Sequence, residues 1–206
     1  MGKFGASLKR TRKVDNNEKM APAKIDIRRR VLAAIGADEA IVFDAFAGAG
    51  QMYEAVWRDA RTYIGCDHKF FNDRRSAFVA DNRRVLRAID LGAFNIFDLD
   101  AYGSPWEQAI IIASRKDVEP GDKIGFVLTE GSGLKLKQGG IPLALACLAG
   151  VTGKPAAPQR LQADLITAAI AGMCKRLGAR VERRWQADNP AGASMKYIGL
   201  VLCGVG

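Results

Sequence analysis

Apolar residues in this chain gather into short continuous runs separated by longer segments with helical spacing. Ala40–Phe46, Thr62–Cys66, Val85–Ala88, Phe94–Leu99 and Lys123–Thr129 have the length of strands, the last bounded by Pro120-Gly121-Asp122. Ile25–Ile35 brings Ile27, Val31, Leu32 and Ile35 to one helical face with arginines between them, and Gly36 ends it. Met52–Ala60, Phe70–Arg83 and Pro105–Ser114 also read as helices. Leu161–Leu177 is a long one, with Gly178 in the position of a C-terminal cap. Arg180–Gln186 and Lys196–Cys203 predict an antiparallel pair across the turn-rich Asp188–Gly192. Strands alternating with helices predict an α/β chain with a doubly wound, mostly parallel, seven-stranded sheet closed by a C-terminal antiparallel hairpin.

Length and charge sharpen this picture. At 206 residues and 49% apolar, the chain suffices for one well-buried α/β domain, expected over residues 24–206. The net charge of +9 is uneven: residues 1–30 hold ten Lys/Arg against three acids. Residues 1–23 are therefore expected to form a basic, mobile arm. Such an arm suits phosphate contacts, which predicts a nucleic-acid partner, DNA or RNA; a solubilising tail is the plainer alternative. No apolar run approaches the ~20 residues of a membrane span, and the basic N-terminus lacks an apolar core of the kind a signal peptide needs. A soluble, cytoplasmic protein without a membrane partner is expected. Cys66, Cys147, Cys174 and Cys203 are widely spaced, which predicts neither a metal site nor a disulfide framework; they read as small core residues.

The richest chemistry lies in Val42–Gln51, where an apolar run ends in Asp44 and then a glycine-rich turn. Glycines there let bare backbone lie against a ligand. The next apolar run ends in Asp67, 19 residues beyond Gly48, near the spacing of about 20 that sets an acid beside a ribose in nucleotide-binding βαβ units. A dinucleotide fingerprint needs a third glycine where Tyr53 stands, and a P-loop needs Gly-Lys where Gly50-Gln51 stands. Asp44-x-Phe46-x-Gly48-x-Gly50 resembles motif I of the class I S-adenosylmethionine-dependent methyltransferases, in the form common among enzymes that methylate amino groups of nucleic-acid bases. The resemblance implies the Rossmann-like fold of that family and S-adenosyl-L-methionine as cofactor, with Asp67 accepting from its ribose hydroxyls. A turn that merely closes a βα connection is the bland reading of the glycines alone.

A second segment follows the fourth run: Asp98-Leu99-Asp100-Ala101-Tyr102-Gly103-Ser104-Pro105-Trp106. Ligands of doubly wound sheets bind beyond the C-terminal strand ends, so an acceptor should meet the cofactor here. An exocyclic base amine is a poor nucleophile, its lone pair delocalised into the ring. A carboxylate and a carbonyl can hold its N–H groups, and an aromatic ring can stack on the base. Asp100, Ala101 and Tyr102 supply those parts. The segment resembles the Asp/Asn-Pro-Pro-Tyr/Phe motif of amino-methyltransferases, and more closely the Asp-Pro-Phe-Gly-Ser-Pro segment of tRNA guanine-N2 methyltransferases. Ala101 replaces proline, Tyr102 replaces phenylalanine, and Gly103-Ser104-Pro105 agree. The same residues read equally as a strand-to-helix turn, with Ser104 capping and Pro105 at the first helical position.

Weaker signals complete the list. His68 and Asp90 are candidates near the cofactor, Asp90 because it follows the expected third strand; both also read as solvated or structural residues. Trp106 and Glu130 are candidate acceptor contacts. Lys135 and Lys137 sit in the glycine-rich 131–140, read as a flexible substrate loop or a mobile turn. No Pro-Cys pair occurs, which argues against covalent C5-pyrimidine methylation. The leading expectation is methylation of a base amine by direct transfer, without metal. A small-molecule or protein acceptor and an idle cofactor-binding module are the alternatives.

Overall fold

The computed structural model describes residues 21–153, 155–188 and 195–206. Most of the predicted arm, and most of the predicted turn at 188–192, lie outside these residues. In chain order the elements are α1 (Ala21–Ile35), β1 (Ile41–Asp44), α2 (Gln51–Ala55), β2 (Thr62–Asp67), β3 (Ala77–Val79), α3 (Asn82–Ala88), β4 (Ile96–Leu99) and α4 (Trp106–Ala113). They continue as β5 (Lys123–Glu130), α5 (Gly133–Lys137), α6 (Leu143–Ala149), α7 (Gln162–Leu177), β6 (Ala179–Asp188) and β7 (Lys196–Gly204). The seven strands form one sheet in the order β3-β2-β1-β4-β5-β7-β6. Every pair from β3 to β5 is parallel, and β7 is antiparallel to both β5 and β6.

Two apolar layers cover the sheet, as parallel strands require. On one face, Ile27, Val31 and Ile35 of α1 pack with Trp57, Val42, Ile96, Val127 and Val201. On the other, Phe43, Phe97, Phe126 and Leu200 meet α3, α4, α6 and α7 through residues such as Leu86, Ile112, Leu148 and Ile170. Phe97 stacks on Phe126, with ring centroids 5.4 Å apart. Gly178, left-handed at φ 59°, ends α7 as its sequence position predicted. β6 is a free edge of exposed residues, with a bulge between Val181 and Arg183. No helix among the described residues is long and apolar enough to cross a membrane.

The region from residue 68 to 90 departs from the sequence reading. No helix forms over Phe70–Arg83; residues 68–76 are an irregular strap, and the third strand is Ala77–Val79. Asp73 accepts from the Arg75 backbone N–H at 3.0 Å, which turns the strap, and Gly65 N donates to Ser76 O at 2.9 Å, which starts the pairing with β2. Val85–Ala88, expected as a strand, lies in α3 because Asp81 caps that helix by accepting from Arg83 N at 2.9 Å. The α2 helix is shorter than Met52–Ala60, stopping at Val56, whose φ of −145° leaves the helical region. The expected loop 131–140 contains α5. Cys66 and Cys174 are buried, whereas Cys147 is exposed on α6.

Candidate active site

The turn after β1 is the centre of the site. Gly48 (φ 46°) and Gly50 (φ 82°) hold left-handed conformations that side chains rarely adopt. A Cβ on Gly48 would meet only Phe46 O, at 3.8 Å, so the turn keeps an open face there. A Cβ on Gly50 would come within 2.9 Å of the Arg75 guanidinium, so the other side is closed. Arg75 donates to Ala47 O at 2.9 Å and Gly48 O at 2.7 Å, and Asp73 pairs with it at 2.6 Å. The strap thus braces the turn from outside, where the expected helix is missing.

Asp67 braces it from β2. One carboxylate oxygen accepts from Gly48 N at 3.0 Å and the other from Lys69 N at 2.9 Å. A carboxylate offers about four lone-pair sites, so acceptor capacity remains for hydroxyl donors. His68 Nδ1 lies 3.3 Å from Asp67, with its ring largely in solvent. Asp44 is buried beneath the turn and accepts from Phe46 N and the Tyr63 hydroxyl, each at 3.0 Å. Burial, reinforced by the nearby Asp98 charge, pushes its carboxyl up to about 8. A cleft opens beside Gly48 and Asp67, lined also by Phe70, Phe71, Phe78 and Val79.

The β3–α3 junction supplies residues that the sequence reading missed. Asn82 donates to Ala45 O at 2.7 Å and accepts from Gln108 at 2.9 Å, joining the turn to α4. Asp81 beside it is half-buried. Asp81 before a helical pattern is a cap signal that could have placed both. Asp90, expected at the cofactor, follows α3 rather than a strand and closes a turn by accepting from Gly92 N at 2.8 Å. The chain reverses direction in α3, so Asp90 sits before β4 and away from the C-terminal strand ends.

At the end of β4, α1 enters the site. Arg28, 1% exposed, donates twice to the buried Asp98, at 2.6 and 2.8 Å, and once to Asp100 at 3.1 Å. Trp57 Nε1 adds a third donor to Asp98 at 2.7 Å. Lys24 Nζ lies 2.9 and 2.8 Å from the two oxygens of Asp100. Burial works to raise the Asp100 carboxyl, but Arg28 and Lys24 hold it below its ordinary value. Burial prevails at Asp98, which is raised in spite of Arg28. Neither Lys24 nor Arg28 was singled out from the sequence.

Beyond Asp100, Ala101 is buried and Tyr102 is 76% exposed. Gly103 O accepts from Gly131 N, which ties this loop to the one after β5. Trp106 and Glu130, expected as acceptor contacts, are fully buried and bonded to each other; Ser132 N also donates to Glu130 at 2.7 Å. They support the loops from beneath and present no surface to a ligand. Ser104 does not cap α4: its hydroxyl is buried without a partner among the described residues, and Pro105 holds the cap position. Lys135 and Lys137 are exposed on α5. Among the described residues, no group of three or more His, Cys, Asp or Glu could hold a metal.

No protein-family model and no curated protein matches the chain. Solved structures do resemble it. N-methyltransferase NodS from Bradyrhizobium japonicum, in complex with S-adenosyl-L-homocysteine, superposes with a TM-score of 0.54 at 11% identity, covering 94% of this chain and 91% of that one. Trm1 from Pyrococcus horikoshii, in complex with S-adenosyl-L-methionine, gives a TM-score of 0.59 at 18% identity over 94% of this chain, which spans 58% of Trm1. TYW2 from M. jannaschii, in complex with AdoMet, gives 0.59 at 8% identity, with 94% and 80% covered. The chain therefore has the Rossmann-like class I methyltransferase fold, a seven-stranded sheet ending in an antiparallel hairpin.

Proposed function

We propose that this protein is an S-adenosylmethionine-dependent methyltransferase acting on an exocyclic amine of a nucleic-acid base. The observation that carries the reading is the single row of strand ends that holds the open glycine turn, Asp67 and the Asp100–Tyr102 loop. The likeness to structures holding S-adenosylmethionine supports the cofactor. The cofactor, when bound, supplies an activated methyl group. Gly48 admits it to the backbone, Gly50 bends the turn in its left-handed conformation against Arg75, and Asp67 accepts from its ribose hydroxyls. Asp81 and Asn82 border the site from β3, as does His68 from β2. Asp44 and Phe46 shape the turn from below. Asp100, kept ionised by Arg28 and Lys24, accepts an N–H of the acceptor amine and orients it, a contribution of positioning and electrostatics. The Ala101 carbonyl offers a second acceptor. Tyr102 stacks on the base, and Lys135 and Lys137 meet its phosphates. The basic residues 1–23 extend that phosphate contact. No metal takes part.

Labelled S-adenosylmethionine incubated with separate DNA and RNA pools, followed by identification of the modified nucleoside, tests the reading. Label in an amino-methylated nucleoside is expected. Asp100→Ala should leave cofactor affinity nearly unchanged and lower the single-turnover rate; a wild-type rate would remove Asp100 from the chemistry. A small-molecule acceptor is the second reading, favoured by the near-complete mutual coverage with NodS, an N-methyltransferase. Label in neither pool, with turnover of a small amine, would establish it.

A further inference from the structure

Lys24 lies where the acceptor amine is expected, and its geometry says more than charge balance. Behind it, Arg28 and Asp98 are sealed, at 1% and 0% exposure. The Lys24–Asp100 pair instead reaches the surface, with side chains 22% and 17% exposed. Each of these two cations faces an acid, so Lys24 and Arg28 are each balanced by a carboxylate. A protonated alkylamine would meet the Lys24 ammonium as a like charge. A neutral heterocyclic amine would not.

The hydrogen-bond count points the same way. An ammonium has three N–H donors, and Lys24 directs two at Asp100. Asp100 accepts two bonds from Lys24 and one from Arg28, and the buried Thr129 hydroxyl of β5 also bears on it. Partly open to solvent, the pair sets an acceptor and a donor side by side at the mouth of the site. Adenine, cytosine and guanine each carry an amino group on a carbon next to a ring nitrogen with a free lone pair. Their edges present the complementary donor and acceptor.

We infer that Lys24 is a specificity-determining residue, donating a hydrogen bond to the ring nitrogen beside the reacting amino group while Asp100 accepts from the amine. This inference rests on the amine-methyltransferase reading and deepens it, naming the acceptor as an amino-bearing nitrogen heterocycle. The Lys24 side chain is held for this task by α1, whose next turn is anchored through Arg28, and by the Tyr197 ring 5.7 Å from its ammonium.

The test is competition, in one reaction, between two oligonucleotides that differ by one ring atom. One carries the natural target base. The other carries its deaza counterpart, with carbon replacing the ring nitrogen beside the amino-bearing carbon: 1-deazaadenine, 3-deazacytosine or 3-deazaguanine. The ratio of methylation is measured for the wild-type chain, Lys24→Met and Lys24→Arg. Lost folding or cofactor affinity lowers both rates in a variant equally and leaves the ratio untouched. Wild type should favour the natural base; Lys24→Met should reduce that preference by about tenfold, the size of a lost hydrogen bond to a charged group. Lys24→Arg, which keeps a donor, should retain part of it. An equal preference in wild type and Lys24→Met, or no preference in wild type, overturns the inference while the amine-methylation reading stands. Methylation of no base amine by wild type overturns both.

Discussion

The two halves of the site are braced by different physics. Around β1 and β2, the glycine turn is held mostly by side chains reaching backbone: Asp67 on Gly48 N, Arg75 on Ala47 O and Gly48 O, Asn82 on Ala45 O. Around β4, the braces are charges meeting charges, with Arg28 and Lys24 of α1 on Asp98 and Asp100 some 70 positions later. Side-chain bonds to a turn fix the shape of a backbone cradle. A network of buried ions fixes charge, and it does so at a greater energetic hazard, because losing one member strands another. The half proposed to hold the cofactor is thus built for shape, and the half proposed to meet the acceptor for electrostatics.

The sharpest way to break this comparison is Arg28→Met. It should destabilise the fold by about 3–5 kcal/mol by leaving Asp98 buried without its counter-ion. Denaturant unfolding measures the loss, and Asp98→Leu added to it should restore much of the stability. A loss below 1 kcal/mol would mean that water reaches Asp98 and the network is not sealed.

On the cofactor half, Asp67→Ala should weaken S-adenosylmethionine binding by about 1.5–3 kcal/mol, through lost acceptors and a loosened Gly48. Calorimetric titration reads this, and unchanged affinity would remove Asp67 from the site.

Titration should separate Asp44 from Asp100 by sign. The Asp44 carboxyl is raised to about 8 in the fold, so the unfolded chain gives up this proton first. Its contribution to stability is present in acid and is lost as pH rises towards 8. The Asp100 carboxyl is lowered in the fold, so its contribution is present at neutral pH and is lost as pH falls below the ordinary carboxylate range. Asp44→Asn should flatten the first limb of the stability profile and Asp100→Asn the second. Identical effects on one limb would show that the two carboxyls titrate as a single unit.

The smallest effect belongs to a pair outside both halves. Arg30 and Asp26 are joined at 2.8 Å on α1 but are both more than half exposed. Arg30→Ala should change stability by no more than about 0.5 kcal/mol, two positions from the arginine with the largest predicted effect.

That contrast explains what the sequence could and could not convey. β1, β5 and α7 were legible because their apolar patterns are long and uninterrupted. The turn and Asp67 were legible because chain spacing alone brings them together. β3 was not, since Ala77-Phe78-Val79 is short, exposed and lacks alternation. Val85-Leu86 resembled a strand until the Asp81 cap is given weight. Arg28 was hidden among three consecutive arginines, and only the rotation of α1 decides which of them turns inward. Trp106 and Glu130 were correctly placed at the strand ends by topology, yet topology does not tell a surface from the layer just beneath it.

The bulged β6 strand at the far edge of the sheet has a consequence for the protein in concentrated solution. A ten-residue strand with no further strand beside it among the described residues would ordinarily invite a second sheet to extend the ladder. Here the edge strand carries exposed Arg180, Glu182, Arg183 and Arg184 and a bulge between Val181 and Arg183, so an approaching copy meets a net positive strand and a broken register. The arginines that look like spare positive charge on a basic protein are thereby a barrier to self-templating, and their cost is borne by the strand farthest from the chemistry.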